Sequence, residues 1–522
     1  MRALLTFFAL TMPSTGVAHG FAQRYDLPVP LALYLTAAAA AVALSFVVIA
    51  FFLRHNQIEK EYWRFDLFRI WPGRLLAHSF LIGLLRLLTV LALLLVIVAG
   101  LFGNPKPFEN FAPTTVWVVW WVGMAYVSGL AGDLWALINP WNSTYRALEW
   151  FVGQFRPGKA TSLLVRYPKW MADWPAVALF LAFVWAELVW PSSDSPRSLG
   201  CAVLAYSLIT WAGMFVFGRH AWLRHGEAFT LVFGFLSRFA PTEYRARPAS
   251  LCLSCADSNG SGSNYSQTNC LECFENAGFE DRQFNIRPWA VGLIPDQPIR
   301  LSQMVLVLIM LSSVTFDGLL ATPLWGSVAE WMLYSDFLRP AILLLQDPTG
   351  NAIAAISTIA LVFFLVCFQI LYALFSALMR WSTPGDFRTR VSIVDMARLF
   401  VLSLIPIALA YHLAHYLSFL MIVGQYMIPL LSDPLGIGWD IFGTSFYVVN
   451  IAVVNARFVW ITSVIAIVTG HIVAVYLSHL MALKIFENRR AALLSQIPML
   501  FLMVGYTMLS LWIMAQPVVE TG

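Results

Sequence analysis

Long apolar stretches separated by short polar ones dominate the pattern of this 522-residue chain. A helix that crosses a bilayer needs about 20 mostly apolar residues. Ten runs come near that length, at 29–53, 75–101, 115–137, 174–190, 199–218, 301–321, 350–379, 397–420, 458–483 and 491–515. The pattern therefore predicts an all-α protein, a polytopic membrane helical bundle with ten transmembrane helices.

Two further segments do not fit a simple span. The apolar stretch 226–237 is too short to cross a bilayer and lies between arginines, so we interpret it as an interfacial or re-entrant helix. The run 325–345 is amphipathic and contains Glu330, Asp336 and Arg339, which predicts helix on the outer surface.

The first residues have the pattern of a secretory signal peptide. A basic start and a short apolar run at 3–12 are followed by small residues at Gly16 and Ala18. Cleavage there would remove 1–18 and leave His19 as the mature N-terminus. The alternative is an uncleaved anchor too short to span. The rest divides into a membrane domain at 19–237 with spans one to five, an insert at 238–300, and a membrane domain at 301–522 with spans six to ten.

Composition limits the class of protein. Apolar residues make up 59% of the chain and charged residues 11%, whereas soluble domains carry about 25% charged residues. So few charges cannot cover a soluble body of this size, which excludes a water-soluble enzyme, a disordered chain and a nucleic-acid binder. The first partner of the chain is therefore the lipid bilayer.

The positions of the basic residues predict the orientation of the helices. Twenty-five Lys and Arg residues lie in or beside the loops on one side of the membrane. Five lie on the other side: Arg24, Lys106, Arg197, Arg339 and Arg457. Basic residues accumulate on the cytoplasmic side of a membrane. We therefore expect the insert in the cytoplasm and both ends of the mature chain in the periplasm, with the protein in a bacterial inner membrane.

The insert contains two CxxC pairs, Cys252–Cys255 and Cys270–Cys273, separated by fourteen residues. Four thiolates on two tight turns suit a tetrahedral structural zinc ion, and the reducing cytoplasm keeps thiols available. Two disulfides in an insert of the opposite orientation, or a redox or iron–sulfur role, are the alternatives.

A few ionisable side chains lie inside the predicted spans, where each is costly and therefore a candidate for function. At about 1.5 Å per residue, we expect all of them in the outer half of the membrane: Arg86, Glu187, Asp317, His412, His415 and His471. His412 and His415 share a helix face at i and i+3. With Asp317 they form a ligand set for a second divalent metal, zinc or copper, to which His19 would add its amine and ring nitrogens. A proton or substrate path, or hydrogen bonding between helices, are the alternatives.

Several stretches together resemble a family of bacterial integral membrane proteins named fenitrothion hydrolase. They are Ala18-His-Gly20, Arg24-Tyr-Asp-Leu-Pro28, Gly132-Asp-Leu-Trp135, Asn139-Pro-Trp141, Thr315-Phe-Asp-Gly318, Thr322-Pro-Leu-Trp325, Tyr411-His-Leu-Ala-His415, Ser432-Asp-Pro-Leu-Gly436, Gly438-Trp-Asp440 and Gly470-His-Ile-Val-Ala-Val-Tyr476. The resemblance implies hydrolysis of an organophosphorus triester. It assigns no catalytic residues, and the double CxxC is not part of it.

The residues and the resemblance combine into one hypothesis. A metal on His412, His415 and Asp317, with His471 or His19 as a further ligand, would supply hydroxide to attack phosphorus. Arg86 would stabilise the phosphoryl oxygen, and an apolar small-molecule substrate would arrive through the lipid. The rival is a transporter or metal-handling protein in which Glu187, Asp317 and the histidines relay protons or copper. A third possibility is a subunit that docks on a second integral membrane chain through the insert.

Overall fold

The computed structural model describes residues 25–53, 62–156, 161–247, 269–295, 297–383, 391–486 and 488–520. The predicted signal peptide, His19, Cys252 and Cys255 lie outside these ranges. Within them, nine helices are long and apolar enough to cross a membrane. The predicted multi-pass helical membrane protein is confirmed at this level.

The first half of the chain supplies four of the nine long helices. Its helices are α1 (Leu31–Phe52), α2 (Trp71–Leu76), α3 (Ser79–Phe102), α4 (Phe111–Pro113), a π-helix (Thr114–Val122), α5 (Gly123–Leu130), α6 (Leu134–Ile138), α7 (Pro140–Phe155), α8 (Trp174–Leu188), α9 (Pro196–Phe217), α10 (Arg219–His225) and α11 (Ala228–Ser237). The spanning helices among them are α1, α3, α8 and α9.

The second half begins with the described part of the insert and continues with the other five long helices. Its helices are α12 (Leu271–Asn276), α13 (Leu301–Leu320), α14 (Pro323–Tyr334), α15 (Arg339–Thr349), α16 (Ala352–Trp381), α17 (Ile393–Phe400), α18 (Ile405–Val423), α19 (Met427–Ser432), α20 (Ala456–Ile485) and α21 (Arg489–Val518). The predicted amphipathic run at 325–345 forms α14 and α15.

The third predicted span, 115–137, is not one of the nine long helices. The π-helix continues directly into α5, which ends at Leu130. The chain then turns at Gly132, whose φ of +148° is incompatible with a continued helix. The Asp133 carboxylate accepts a hydrogen bond from the Ala136 amide and starts α6. A broken helix therefore stands where the apolar pattern predicts a continuous one.

The apolar segment at 226–237 forms α11 in the protein interior. Phe229, Val232 and Phe233 are all buried in it. Glu227 caps its start by accepting hydrogen bonds from the Phe229 and Thr230 amides. Of the two interpretations made from sequence, this burial favours a re-entrant helix over one that lies on the membrane surface.

The described chain contains two small sheets. Their strands are β1 (Tyr25–Asp26), β2 (Phe65–Asp66), β3 (Thr242–Ala246), β4 (Arg282–Ile286) and β5 (Val519–Glu520). Strands β2, β4 and β3 form an antiparallel sheet in that order, and β2 comes from the link between α1 and α2. The insert is therefore joined to the membrane domain by a sheet and is not free-standing.

The two ends of the described chain meet, because β1 pairs with β5 in parallel. We call this side of the bundle the terminal face. On the opposite side, Lys484 at the end of α20 donates to the Pro295 carbonyl, and we call that side, which carries the β2–β4–β3 sheet, the insert face. Helices α8 and α13 begin at the insert face, where Arg300 pairs with Asp173, so their last residues approach the terminal face.

Candidate functional site

Three helices bring ionisable side chains together in the terminal half of the bundle. Glu187 lies on the last turn of α8, and Asp317 lies on the last turn of α13. Helix α18 packs against α13 and places His415 and Tyr416 between them. Glu187, Asp317 and His415, three of the residues singled out from the sequence, therefore lie close together. We call these four residues the relay cluster.

A phenol bridges the two carboxylates of the relay cluster. The Tyr416 hydroxyl lies 2.6 Å from Asp317 Oδ2 and 3.3 Å from Glu187 Oε1. A phenol has a single hydrogen, which it donates to one carboxylate. Both contacts are full hydrogen bonds at the same time when the second carboxyl group carries a proton and donates it to the phenol oxygen. The geometry therefore suits a group of side chains that shares a proton.

His415 extends the chain of contacts beyond the carboxylates. Its Nε2 lies 2.8 Å from Asp317 Oδ2, so a protonated Nε2 donates to that oxygen. The His415 side chain is 2% exposed, whereas that of Asp317 is 24% exposed. Asp317 is therefore the more exposed member of this pair, and His415 is the buried member.

His412 lies one turn before His415 and faces aromatic rings. Its ring centroid is 5.5 Å from that of Trp121, 5.7 Å from that of Tyr126 and 4.7 Å from that of Tyr416. The His415 ring is also 4.7 Å from the Tyr416 ring. The two histidines thus share one helix face, as their spacing predicts. Trp121 comes from the π-helix, a form that is frequent at functional sites.

His471 lies outside the relay cluster. Its Nδ1 is 2.8 Å from the Ile467 carbonyl of its own helix, α20. Its ring packs 5.8 Å from that of Tyr506, whose hydroxyl pairs with Thr315 of α13. His471 therefore supports the helix that carries Asp317 and does not contact the carboxylate itself.

The expectation that Arg86 acts in the outer half of the membrane is wrong. Arg86 Nε donates to the Leu137 carbonyl at 2.9 Å, and Nη2 lies 3.4 Å from Glu275 of the insert. The reason is that the chain breaks at His78, so α3 begins at Ser79 and Arg86 lies only seven residues along it. It belongs to the insert face and takes no part in the relay cluster.

The predicted metal-ligand set is in contact only in part. His415 touches Asp317, but His412 packs against aromatic rings and His471 bonds to its own helix. Within the described ranges there is no group of three His, Cys, Asp or Glu side chains placed to hold a metal ion. The proposed contribution of His19 lies outside those ranges.

Tyr416 is the functional residue that sequence reasoning missed. It follows His415 directly, and a buried tyrosine hydroxyl in an apolar helix requires a partner. That requirement was a signal in the sequence. The identity of its partners was not, because Asp317 and Glu187 are distant in the chain.

A second polar centre lies at the insert face. Glu275 of α12 meets Arg146 at 2.8 Å, Arg219 at 3.2 Å and Arg86 at 3.4 Å. Burial alone would raise the pKa of Glu275, but the three guanidinium groups outweigh it and hold the pKa below its usual value.

Glu243 of β3 is held in a similar way. Its carboxylate meets Arg64 at 2.7 Å and Arg287 at 3.0 Å, and it accepts from the Tyr62 hydroxyl at 2.8 Å. Burial raises the pKa of Glu243, while Arg287, the Tyr62 hydrogen bond and Arg64 together lower it below its usual value. These contacts fasten the insert to the membrane domain.

Two of the four motif cysteines lie within the described chain. Cys273 is buried in α12 against Ala246 and Ala277, and Cys270 stands directly before that helix. Cys270 is disulfide-bonded. A zinc ion bound by all four cysteines requires Cys270 as a thiolate, so zinc and the disulfide are alternative states of this side chain.

Comparison of the chain with protein-family models, with curated proteins and with solved structures finds no match.

Proposed function

We propose that this protein is a proton-coupled membrane transporter whose relay cluster takes up and releases the coupling proton. The observation that carries the proposal is the continuous set of contacts from Glu187 through Tyr416 and Asp317 to His415. These side chains come from α8, α13 and α18. All three helices form, or are part of, helical segments long and apolar enough to cross a membrane.

The chemistry of these side chains supports proton transfer. Carboxylate, phenol and imidazole groups can each give or receive a proton, and their heavy atoms are already within hydrogen-bond distance. A purely structural contact between helices needs no ionisable group, because Ser, Thr or Asn hydrogen bonds serve it at lower cost. A set of three ionisable groups around one phenol therefore favours a proton path over packing.

A pH-jump experiment tests this proposal without knowledge of the transported solute. The purified chain is reconstituted in proteoliposomes adsorbed on a solid-supported membrane, and the pH outside is changed rapidly. A proton that enters the relay cluster moves charge within the membrane, so we expect a transient current from the wild type. Asp317→Asn should abolish it.

Asp336→Asn is the matched control for this experiment. Asp336 is an exposed carboxylate between α14 and α15, outside the relay cluster. Its replacement should leave the transient current unchanged. A wild-type current no larger than that of Asp317→Asn would refute the proposed function.

Hydrolysis of a phosphotriester is a second candidate, and the contact between Asp317 and His415 favours it. A carboxylate that holds one ring nitrogen of a histidine orients the imidazole to act as a general base toward water. The resemblance noted from the sequence implies the same reaction.

Release of nitrophenolate from a 4-nitrophenyl phosphotriester by the purified chain tests this second candidate. Hydrolysis predicts release that is lost in His415→Ala and in Asp317→Asn. A rate equal to that of protein-free vesicles would refute hydrolysis and leave the transport proposal standing.

A further inference from the structure

A large cavity opens at the terminal face beside the relay cluster. Its volume is about 700 Å³, which is within the range of small-molecule sites. The last turns of α18 form one side of it, and the loop between α19 and α20 forms the other. The segment 107–109 before α4 completes the rim with Phe108 and Glu109.

The inner end of the cavity lies one helical turn from the relay cluster. Ser418 and Phe419 line it, at i+3 and i+4 from His415 on the same face of α18. The Phe419 ring is 6.3 Å from the Tyr416 ring. Ser418 is 1% exposed and its hydroxyl has no hydrogen-bond partner in the described chain. A buried hydroxyl without a partner is costly, and a ligand that donates a hydrogen bond would satisfy it.

The walls of the cavity are aromatic, and its charge is negative. Phe108 and Tyr426 pack with ring centroids 4.9 Å apart, and Tyr447 and Phe419 add two more rings. Aromatic faces attract cations. Two carboxylates, Glu109 and Asp433, belong to the lining, which among the described residues contains no Lys, Arg or His.

The two carboxylates of the cavity differ in their partners. Glu109 is paired with Lys106 at 2.7 Å. The Asp433 carboxylate accepts hydrogen bonds from the backbone amides of Ile437 at 3.0 Å and Gly438 at 2.6 Å, and no cation of the described chain pairs with it. Asp433 therefore leaves the cavity with one negative charge that no side chain of the described residues neutralises.

We propose that this cavity binds an amphiphilic organic cation, an aromatic or aliphatic body that carries a protonated amine. The body packs on the rings of Phe108, Phe419 and Tyr426. Asp433 attracts the charge, and Ser418 accepts a hydrogen bond from the amine. The proposal rests on the proposed function, because such a cation is the solute that the relay cluster would exchange for a proton.

Equilibrium binding of rhodamine 6G, a lipophilic cation with amine N–H groups, tests this inference. Fluorescence polarisation with the purified full chain in detergent should show saturable binding to the wild type. Asp433→Asn should weaken it about ten-fold, since an opposite charge is lost from a partly buried site. Ser418→Ala should weaken binding by about three-fold through the lost acceptor.

Asp440→Asn is the matched control, because Asp440 lies on the same loop, also accepts a backbone hydrogen bond, from Ser445, and does not line the cavity. It should leave binding unchanged. Nile red, a neutral dye of similar shape, should bind Asp433→Asn and wild type equally. Rhodamine 6G binding that is absent, or unaffected by both Asp433→Asn and Ser418→Ala, would overturn the inference.

The outcomes separate this inference from the proposed function. Binding is measured at equilibrium and needs no proton movement, whereas the pH-jump current needs no organic cation. A current that depends on Asp317 without rhodamine binding overturns only the cation site. Binding that depends on Asp433 without a current supports the site and refutes the relay.

Discussion

Replacement of Glu275 by Gln should release the insert from the membrane domain. The carboxylate lies within 2.8–3.4 Å of three guanidinium groups, and its side chain is 12% exposed. Gln keeps the size of the side chain and one carbonyl acceptor but removes the charge. Three arginines then face one another without the anion that holds them together.

The expected magnitude follows from the burial of each pair. Removal of one partner from a buried ion pair costs about 3–5 kcal/mol, and an exposed pair contributes about 0–1 kcal/mol. Arg146 is 48% exposed, so its pair belongs to the weaker class, whereas Arg219 and Arg86 are mostly buried. Arg219 keeps Glu149, and Arg86 keeps the Leu137 carbonyl. We therefore expect a loss of about 2 kcal/mol in the docking of the insert.

Hydrogen–deuterium exchange measures this loss directly, because undocking is a local opening. About 2 kcal/mol corresponds to roughly thirty-fold faster exchange, and we expect it in residues 270–286 and not in α20. Glu280→Gln is the control, since Glu280 is exposed and lies just beyond the same helix. Equal exchange of the 270–286 segment in wild type and Glu275→Gln would show that this reasoning is wrong.

The same contribution should depend on pH in one direction. The pKa of Glu275 is lower in the folded chain than its ordinary value of 4.5, so the stability from the carboxylate is complete above about pH 4.5. It is lost as the pH falls through the lower, folded-state value. The difference between wild type and Glu275→Gln should therefore be constant near neutral pH and shrink only below about pH 4.5.

Three further changes test other parts of the protein. Tyr416→Phe should reduce the pH-jump current by removing the bridge between Glu187 and Asp317, whereas Tyr334→Phe, on an exposed surface, should not. Gly200→Ala should lower the thermal unfolding midpoint, because its new Cβ would lie 3.1 Å from the Gly100 backbone, at a cost of about 1–3 kcal/mol. Gly505→Ala is the control, since a Cβ there meets nothing within 4 Å. An equal effect of both substitutions would contradict this prediction. If the double CxxC binds zinc, elemental analysis should give about one zinc per chain, lost in Cys273→Ser and kept in Cys201→Ser. A zinc-free chain with an oxidised Cys270 would contradict the zinc site.

The sequence predicts helices well here because the bilayer imposes length and hydrophobicity on each of them. It fails where a helix ends for a local reason. The apolar pattern predicts a helix that continues from Arg74 to Arg86, but His78 interrupts it and accepts a hydrogen bond from the Phe80 amide at 3.3 Å. Moving the start of the helix by five positions, from Arg74 to Ser79, shortens the depth of Arg86 by about 7.5 Å, enough to move it from the outer half to the insert face.

The candidate site was predictable in position but not in its contacts. Helical spacing places His412 and His415 on one face, and span depth brings Glu187 and Asp317 to the same level. Neither rule indicates that Tyr416 joins the carboxylates, or that His412 faces the rings of Trp121 and Tyr126. Those contacts depend on how α8, α13, α18 and the π-helix pack together, and on a π-helical stretch that the apolar pattern does not distinguish from α-helix.

Helices α8 and α13 contact each other through different side chains near their first and last residues. This difference determines where a proton could change how the two helices are joined. At the insert face, Asp173 before α8 meets Arg300 at 3.1 Å, Ser302 at 3.1 Å and His225 at 2.6 Å. At the terminal face, the Tyr416 hydroxyl contacts both Glu187 and Asp317.

An arginine stays charged under all ordinary conditions, so Arg300 keeps its charge toward Asp173 at the insert face when protons come and go at the terminal face. The terminal-face contact depends on which group holds the shared hydrogen, so a proton added or removed there changes how α8 and α13 are joined. A proton-driven movement should therefore open these helices at the terminal face, beside the cavity of Ser418 and Asp433, and turn about their fixed ends at Asp173 and Arg300. That arrangement couples the relay cluster to the cavity without a change at the insert.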